Sequence, residues 1–183
     1  LEYWINSLLS SPATHVVNIS SNQIVAGLAI PEKLLAATFS KVLKPLDNLA
    51  ITGDTMFRQT DEAVYYGEAM GQMYGMAAGM RDGFRLAYKA LKSGETSDPA
   101  MKYEARKYNA FSSENINDMA GPLFDIKANS SVAKGLDFFG DWVIRLPSRF
   151  LGAEDEFFKS VGYRMELNSL AYRTAKGEGL EGA

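Results

Sequence analysis

The residues able to do chemistry are few and poorly grouped. Glu154-Asp155-Glu156 is the tightest carboxylate cluster. Paired carboxylates cleave a glycosidic bond only when they face each other across a cleft, and neighbours within one helical turn point apart. At the start of a helix such acids are explained by capping and by the positive end of the helix dipole. A single His, His15, lies in a stretch with no carboxylate helper nearby, so it reads as a hydrogen-bonded packing residue. With no Cys in the chain, disulfide frameworks, thiolate zinc sites, iron–sulfur clusters and thiol nucleophiles are excluded. Neither a phosphate-cradling glycine loop, a strained serine elbow nor a His-Glu-x-x-His helix is present. The reading is therefore of a non-enzymatic chain without metal or cofactor.

Lys102, Arg106 and Lys107, interleaved with Tyr103 and Tyr108, form the one basic and aromatic patch. Such a patch can track a single strand of nucleic acid. The net charge of −3 weighs against a strong sequence-independent grip, and a solvated helix face is the plainer account. Arg145, Arg149 and Arg164 are expected to pair with acids.

These residues are carried by a chain of 183 residues in which the helical period dominates. Helices are predicted over Leu1–Ser10, over Pro12–Ala29 with Ser11 as cap, and over Pro31–Lys44, closed by Pro45. The last of these has Leu34, Leu35, Thr38, Phe39, Val42 and Leu43 as its apolar face. Leu46–Gln59 reads as a connection. A long helix runs from Asp61, capped by Thr60, to a C-cap at Gly94. Further helices are predicted from Pro99 to Tyr108, from Ser131 to Leu146, and from Ala153 to Lys176. Residues 109–130 read as mixed, with Ser113 as a cap and Gly121-Pro122 as a break. No alternation of strand length stands out. The predicted fold is all-α, an elongated multi-helix bundle with one long glycine-rich central helix. Residues 1–176 form one helical domain, residues 177–183 a flexible linker, and the two ends suggest a piece of a longer protein.

The sharpest feature lies in the long helix. Gly67, Gly71, Gly75, Gly79 and Gly83 recur at every fourth residue. Each glycine in a helix interior costs about 0.5–1 kcal/mol relative to Ala. The i±4 row is a ridge on a helix surface, and without side chains it becomes a groove for a neighbouring backbone. Three readings follow: packing on a helix of the same chain, packing on another copy or subunit, or a helix in a bilayer. The third is weakened because only residues 69–80 lack a charge, whereas a span needs about 20 apolar residues. A second helix-packing surface is the seam Phe158, Val161, Met165 and Tyr172 near the end of the chain.

The opening is free of charge between Glu2 and Glu32, but many polar residues interrupt it. It reads as helices buried in a larger assembly, with membrane contact after rearrangement as the rival.

Two phrases carry a resemblance. Asn6-Ser7-Leu8-Leu9-Ser10-Ser11-Pro12-Ala13-Thr14-His15-Val16-Val17-Asn18-Ile19-Ser20-Ser21-Asn22 is one. The other runs from Arg145-Leu146-Pro147-Ser148-Arg149-Phe150-Leu151 through Asp155-Glu156-Phe157-Phe158-Lys159 to Tyr163-Arg164-Met165-Glu166-Leu167 and Ala171-Tyr172-Arg173. Both resemble stretches of very large internal virion proteins of tailed phages and prophages, also described as DNA-ejection or polyvalent proteins. The resemblance implies a structural, helix-packing segment stored in the virion and delivered into the bacterial host. It also implies that any peptidoglycan-cleaving domain lies elsewhere in the parent. Its expected partners are other segments of that parent, other copies or other virion proteins. A segment that binds nucleic acid and travels with the genome is the rival reading, and a peptidoglycan-acting enzyme domain the weaker one.

Overall fold

A computed structural model describes residues 2–47, 64–94, 111–124, 126–127 and 129–180. Every element among them is helical, and the fold is an all-α multi-helix bundle. In chain order the elements are α1 (Glu2–Leu9), α2 (Pro12–Asp47), α3 (Tyr66–Ser93), α4 (Ser113–Phe124), α5 (Ser131–Phe139), a π-helical turn (Gly140–Ile144) and α6 (Leu146–Gly177). The chain divides into two compact units, one of Leu1–Ser20 with Phe84–Phe157, the other of Ser21–Gly83 with Phe158–Ala183.

Several helix boundaries correct the sequence reading. The helices predicted over residues 12–29 and 31–44 are one, α2, of 36 residues and about 54 Å. Pro31 and Pro45 lie inside it. A proline there forfeits one ladder hydrogen bond and crowds the preceding turn. Contacts of the inner face on the C-terminal side of Pro31, at Lys33, Ala37 and Ser40, keep the helix continuous. Likewise α4 runs through Gly121-Pro122. Its cap is Ser112, whose Oγ accepts from the Asn115 N–H at 3.1 Å, while Ser113 donates its own N–H to Asp137 at 2.7 Å. The last helix begins at Leu146 rather than Ala153, because Pro147 falls in its first turn, where the missing N–H has no partner to lose. The helix predicted over 131–146 stops at Phe139 and passes into the π turn. Thr60 and Asp61, the predicted start of the glycine-rich helix, and the whole predicted helix 99–108 lie outside the described residues.

The end of α3 has the expected chemistry. Gly94 takes φ +69° and returns its N–H to the Ala90 carbonyl at 2.7 Å, a left-handed C-cap. At its start, Glu68 reaches back to the Tyr65 N–H at 2.9 Å, the return arm of a capping box. Beyond α6, Gly179 at φ +73° closes a Schellman turn, with the Leu180 N–H on the Ala175 carbonyl.

The two units bury unusual material. The fully buried hydrophobic residues, among those described, are Ala37, Ala69, Ala90, Ala133, Ala153, Val161 and Met165. The large side chains are mostly outside. Of the apolar face read from sequence on α2, Leu34, Leu35, Phe39 and Val42 are exposed and Thr38 accepts from the Tyr66 hydroxyl at 3.1 Å, while the Leu43 side chain lies outside those described; Ala37 and Ser40 are buried instead. The α3 helix repeats the pattern: Ala69, Gln72, Gly75, Gly79 and Gly83 are buried, and Met70, Met73, Tyr74 and Met80 are exposed.

Candidate functional site: a glycine-lined helix interface

In the second unit the glycine row of α3 lies on α6 of the same chain. The partners descend along α6 as the row ascends, so the helices are antiparallel. A Cβ at Gly71 would meet the Asn168 carbonyl oxygen at 2.8 Å, and one at Gly79 the Val161 Cα at 2.7 Å. At Gly75 it would collide with the Arg164 carbonyl and the Met165 Cα, and at Gly67 with the Tyr172 ring. Gly83, the last of the row, is buried too. Three of the four predicted seam residues meet the row: Val161 and Met165 are buried against it and Tyr172 lies over Gly67, while Phe158 is half-buried. The row and these three residues, read from sequence as parts of two contact surfaces, are partners. At this separation a side chain also reaches the opposite backbone, the Ser160 hydroxyl donating to the Gly79 carbonyl at 3.2 Å.

One end of this interface is closed by a charged cluster that sequence reasoning did not single out. The carboxylate of Glu68 is fully buried. Arg173 donates to it at 2.7 Å and Ser169 at 3.3 Å, while Lys33 of α2 stands 3.8 Å away, equally close to Glu166. Burial works to raise the Glu68 pKa. The Arg173 and Tyr65 hydrogen bonds and the charges of Arg173 and Lys33 outweigh it, and the net shift is downward. The cluster thus ties α2, α3 and α6 with a carboxylate held ionised. Toward the other end, Arg164 pairs with Asp82. One turn from Glu68, the buried Gln72 Oε1 has no hydrogen-bond partner among the described residues.

The first unit has its own polar anchors. His15 does have a carboxylate helper, contrary to the sequence reading: its Nδ1 lies 2.8 Å from Glu154 Oε1, and Asn18 donates to the other oxygen at 2.7 Å. Because α6 starts at Leu146, Glu154-Asp155-Glu156 is two turns inside the helix, so the dipole account fails and side-chain pairing replaces it for Glu154. The separation in sequence, 139 residues for the His pair, hides it from any local pattern. Arg149 is a side-chain cap for α3. Its Nη1 donates to the Leu91 and Lys92 carbonyls at 3.2 and 3.0 Å, Asp141 stands 3.5 Å from Nη2, and the guanidinium lies 4.8 Å from the Trp142 ring centre. The π turn supplies both Asp141 and Trp142. Arg145 pairs with the same Asp141 at 3.6 Å.

Among the described residues no group of three or more His, Cys, Asp or Glu side chains is placed to hold a metal ion. Nor is any described helix long and apolar enough to cross a membrane. Lys102, Arg106 and Lys107, the basic patch, lie outside the described residues. No protein-family model, curated protein or solved structure matches the chain.

Proposed function

We propose that this chain is a non-enzymatic helical structural module, acting through helix packing, of the kind found in internal virion proteins of tailed phages. The observation that supports it is the inverted distribution of side chains. Glycine, alanine and serine draw α3 and α6 together at backbone distance, and the bulky Met, Tyr, Val, Leu and Phe residues of α2 and α3 are turned outward. Small-residue packing of this type makes a stiff helix pair with little side-chain volume between the backbones. Rows of exposed apolar side chains on the described outer faces are the kind of surface that marks an interaction site. The two phrases that resemble virion proteins name a setting in which such faces would be covered by other segments and subunits.

Mass spectrometry of gradient-purified particles from an induced lysogen carrying the gene tests the reading. Peptides of this chain are expected in DNA-filled particles and depleted from particles that have released their DNA. Their absence from both, with the protein found free in the lysate, overturns it.

A further inference from the structure

Along the outer face of α2, Val25, Leu28, Glu32, Leu35, Phe39 and Val42 recur at alternating steps of three and four. That is the spacing of a coiled-coil seam, about 27 Å long at 1.5 Å per residue. The five apolar members are each 58–69% exposed, and the opposite face of the helix, with Lys33, Ala37 and Ser40, is turned inward. Glu32 is also exposed and makes no hydrogen bond or ion pair among the described residues. Its neighbour Lys33 is engaged inward with Glu68 and Glu166. An uncommitted carboxylate therefore stands in the middle of an apolar stripe.

From this juxtaposition we infer that the outer face of α2 is a docking seam for an amphipathic helix that carries a Lys or Arg opposite Glu32. The charge decides the occupant. A second copy aligned in parallel sets Glu32 directly against the partner's Glu32. An antiparallel copy with full overlap of the seam leaves the two carboxylates within one turn, about 5 Å along the axis. Either way like charges meet in a drying interface. A bilayer surface places the same carboxylate in hydrocarbon, which is costly. A helix with a cation at that level gains a complementary pair and a fixed register, the use to which one polar seam position is put in coiled coils.

The assignment rests on the assembly reading and deepens it. The test uses the whole chain and three synthetic helical peptides of about four heptads, Leu along the seam, with Lys, Leu or Glu at one central seam position. Fluorescence anisotropy of labelled peptide is expected to give binding at least ten times tighter for the Lys peptide than for the Glu peptide. In Glu32→Lys the order is expected to reverse, and Leu28→Ser is expected to weaken all three. These positions are exposed, so circular dichroism should stay unchanged in every variant. Four outcomes overturn the inference: no peptide binds; Glu32→Lys leaves the order as it was; light scattering finds a dimer of the wild-type chain that Leu28→Ser dissolves; or zwitterionic vesicles take up the chain and Leu28→Ser releases it. If the order fails to reverse while peptides of the chain still travel with filled particles, the seam falls and the module reading stands.

Discussion

Alanine at the glycine positions should change stability with opposite signs at different sites, and the geometry ranks them. In an ordinary helix interior Gly→Ala stabilises by about 1 kcal/mol, because alanine loses less backbone entropy. Gly162 on α6 tests that baseline, since nothing lies within 4 Å of the Cβ it would gain. Gly162→Ala is expected to raise stability by about 1 kcal/mol. At Gly75 the new methyl meets backbone atoms of Arg164 and Met165, which cannot rotate away. The helices must part, at the upper end of the about 1–3 kcal/mol typical of overpacking. Less the gain in propensity, the net loss is about 2 kcal/mol, or roughly 4–8 °C in Tm for a chain of this size. Gly71→Ala and Gly79→Ala meet backbone at 2.8 and 2.7 Å and should fall just short of that. Gly67→Ala meets only the ring of Tyr172, 40% exposed and able to swing outward, so it should be near neutral. Thermal and urea unfolding of the five single variants measures the order directly. If Gly75→Ala is as stable as Gly162→Ala, the row does not seat a backbone and the packing argument is wrong.

Three further outcomes follow from the polar anchors. Glu68 has its pKa lowered in the folded state, so its contribution is complete above the unfolded-state pKa and is lost as pH falls through the folded-state value. An acid titration of stability should be shallower in Glu68→Gln, and at neutral pH Glu68→Ala should cost about 3 kcal/mol by taking from Arg173 its buried counter-charge. A double-mutant cycle of His15→Ala and Glu154→Gln should return a coupling of about 1 kcal/mol by urea unfolding, and additive effects would show the pair to be idle. Arg149→Lys keeps the charge but loses the fork on the Leu91 and Lys92 carbonyls. It should destabilise by about 2 kcal/mol and accelerate hydrogen exchange in the last turn of α3, and unchanged exchange there would rule out the cap.

What sequence could show here was periodicity. The 3.6-residue rhythm gave the helices, Gly94 gave the end of α3, and the four-residue spacing of Gly67 to Gly83 marked a surface built for close approach. Prolines misled where a local rule met tertiary packing: Pro31 breaks an isolated helix, yet α2 continues through it because its inner face is held beyond that point by Lys33, Ala37 and Ser40. Direction was also illegible. A stripe such as Leu35, Phe39 and Val42 says that a face is apolar, and only the neighbours say whether it points inward. The charged clusters were hidden by distance along the chain, 105 residues between Glu68 and Arg173 and 136 between Asn18 and Glu154. The one local hint was that Glu68 sits beside the first glycine of the row, where a neighbouring helix comes close enough to supply a counter-charge.

The same inversion bears on how the folded chain is held together. Burying a Leu or Phe yields about 1.5–3 kcal/mol, and an Ala only a fraction of that. The described core holds five alanines with Val161 and Met165 as its only larger apolar residues. Close backbone contact adds dispersion, but the large transfer term is left on the outside, on Val25, Leu28, Leu35, Phe39 and Val42 and on Met70, Met73 and Tyr74. Covering those faces would add the transfer term of Val25, Leu28, Leu35, Phe39 and Val42 to the stability of the folded chain. Linkage makes that measurable: a helix that binds only the folded state raises stability by about 2.7 kcal/mol at one hundred times its dissociation constant. The Lys-bearing peptide should therefore lift the melting temperature in proportion to the logarithm of its concentration, and Glu32→Lys should transfer that effect to the Glu-bearing peptide. A melting temperature that neither peptide moves means that the exposed stripe on α2 seats no helix of this kind.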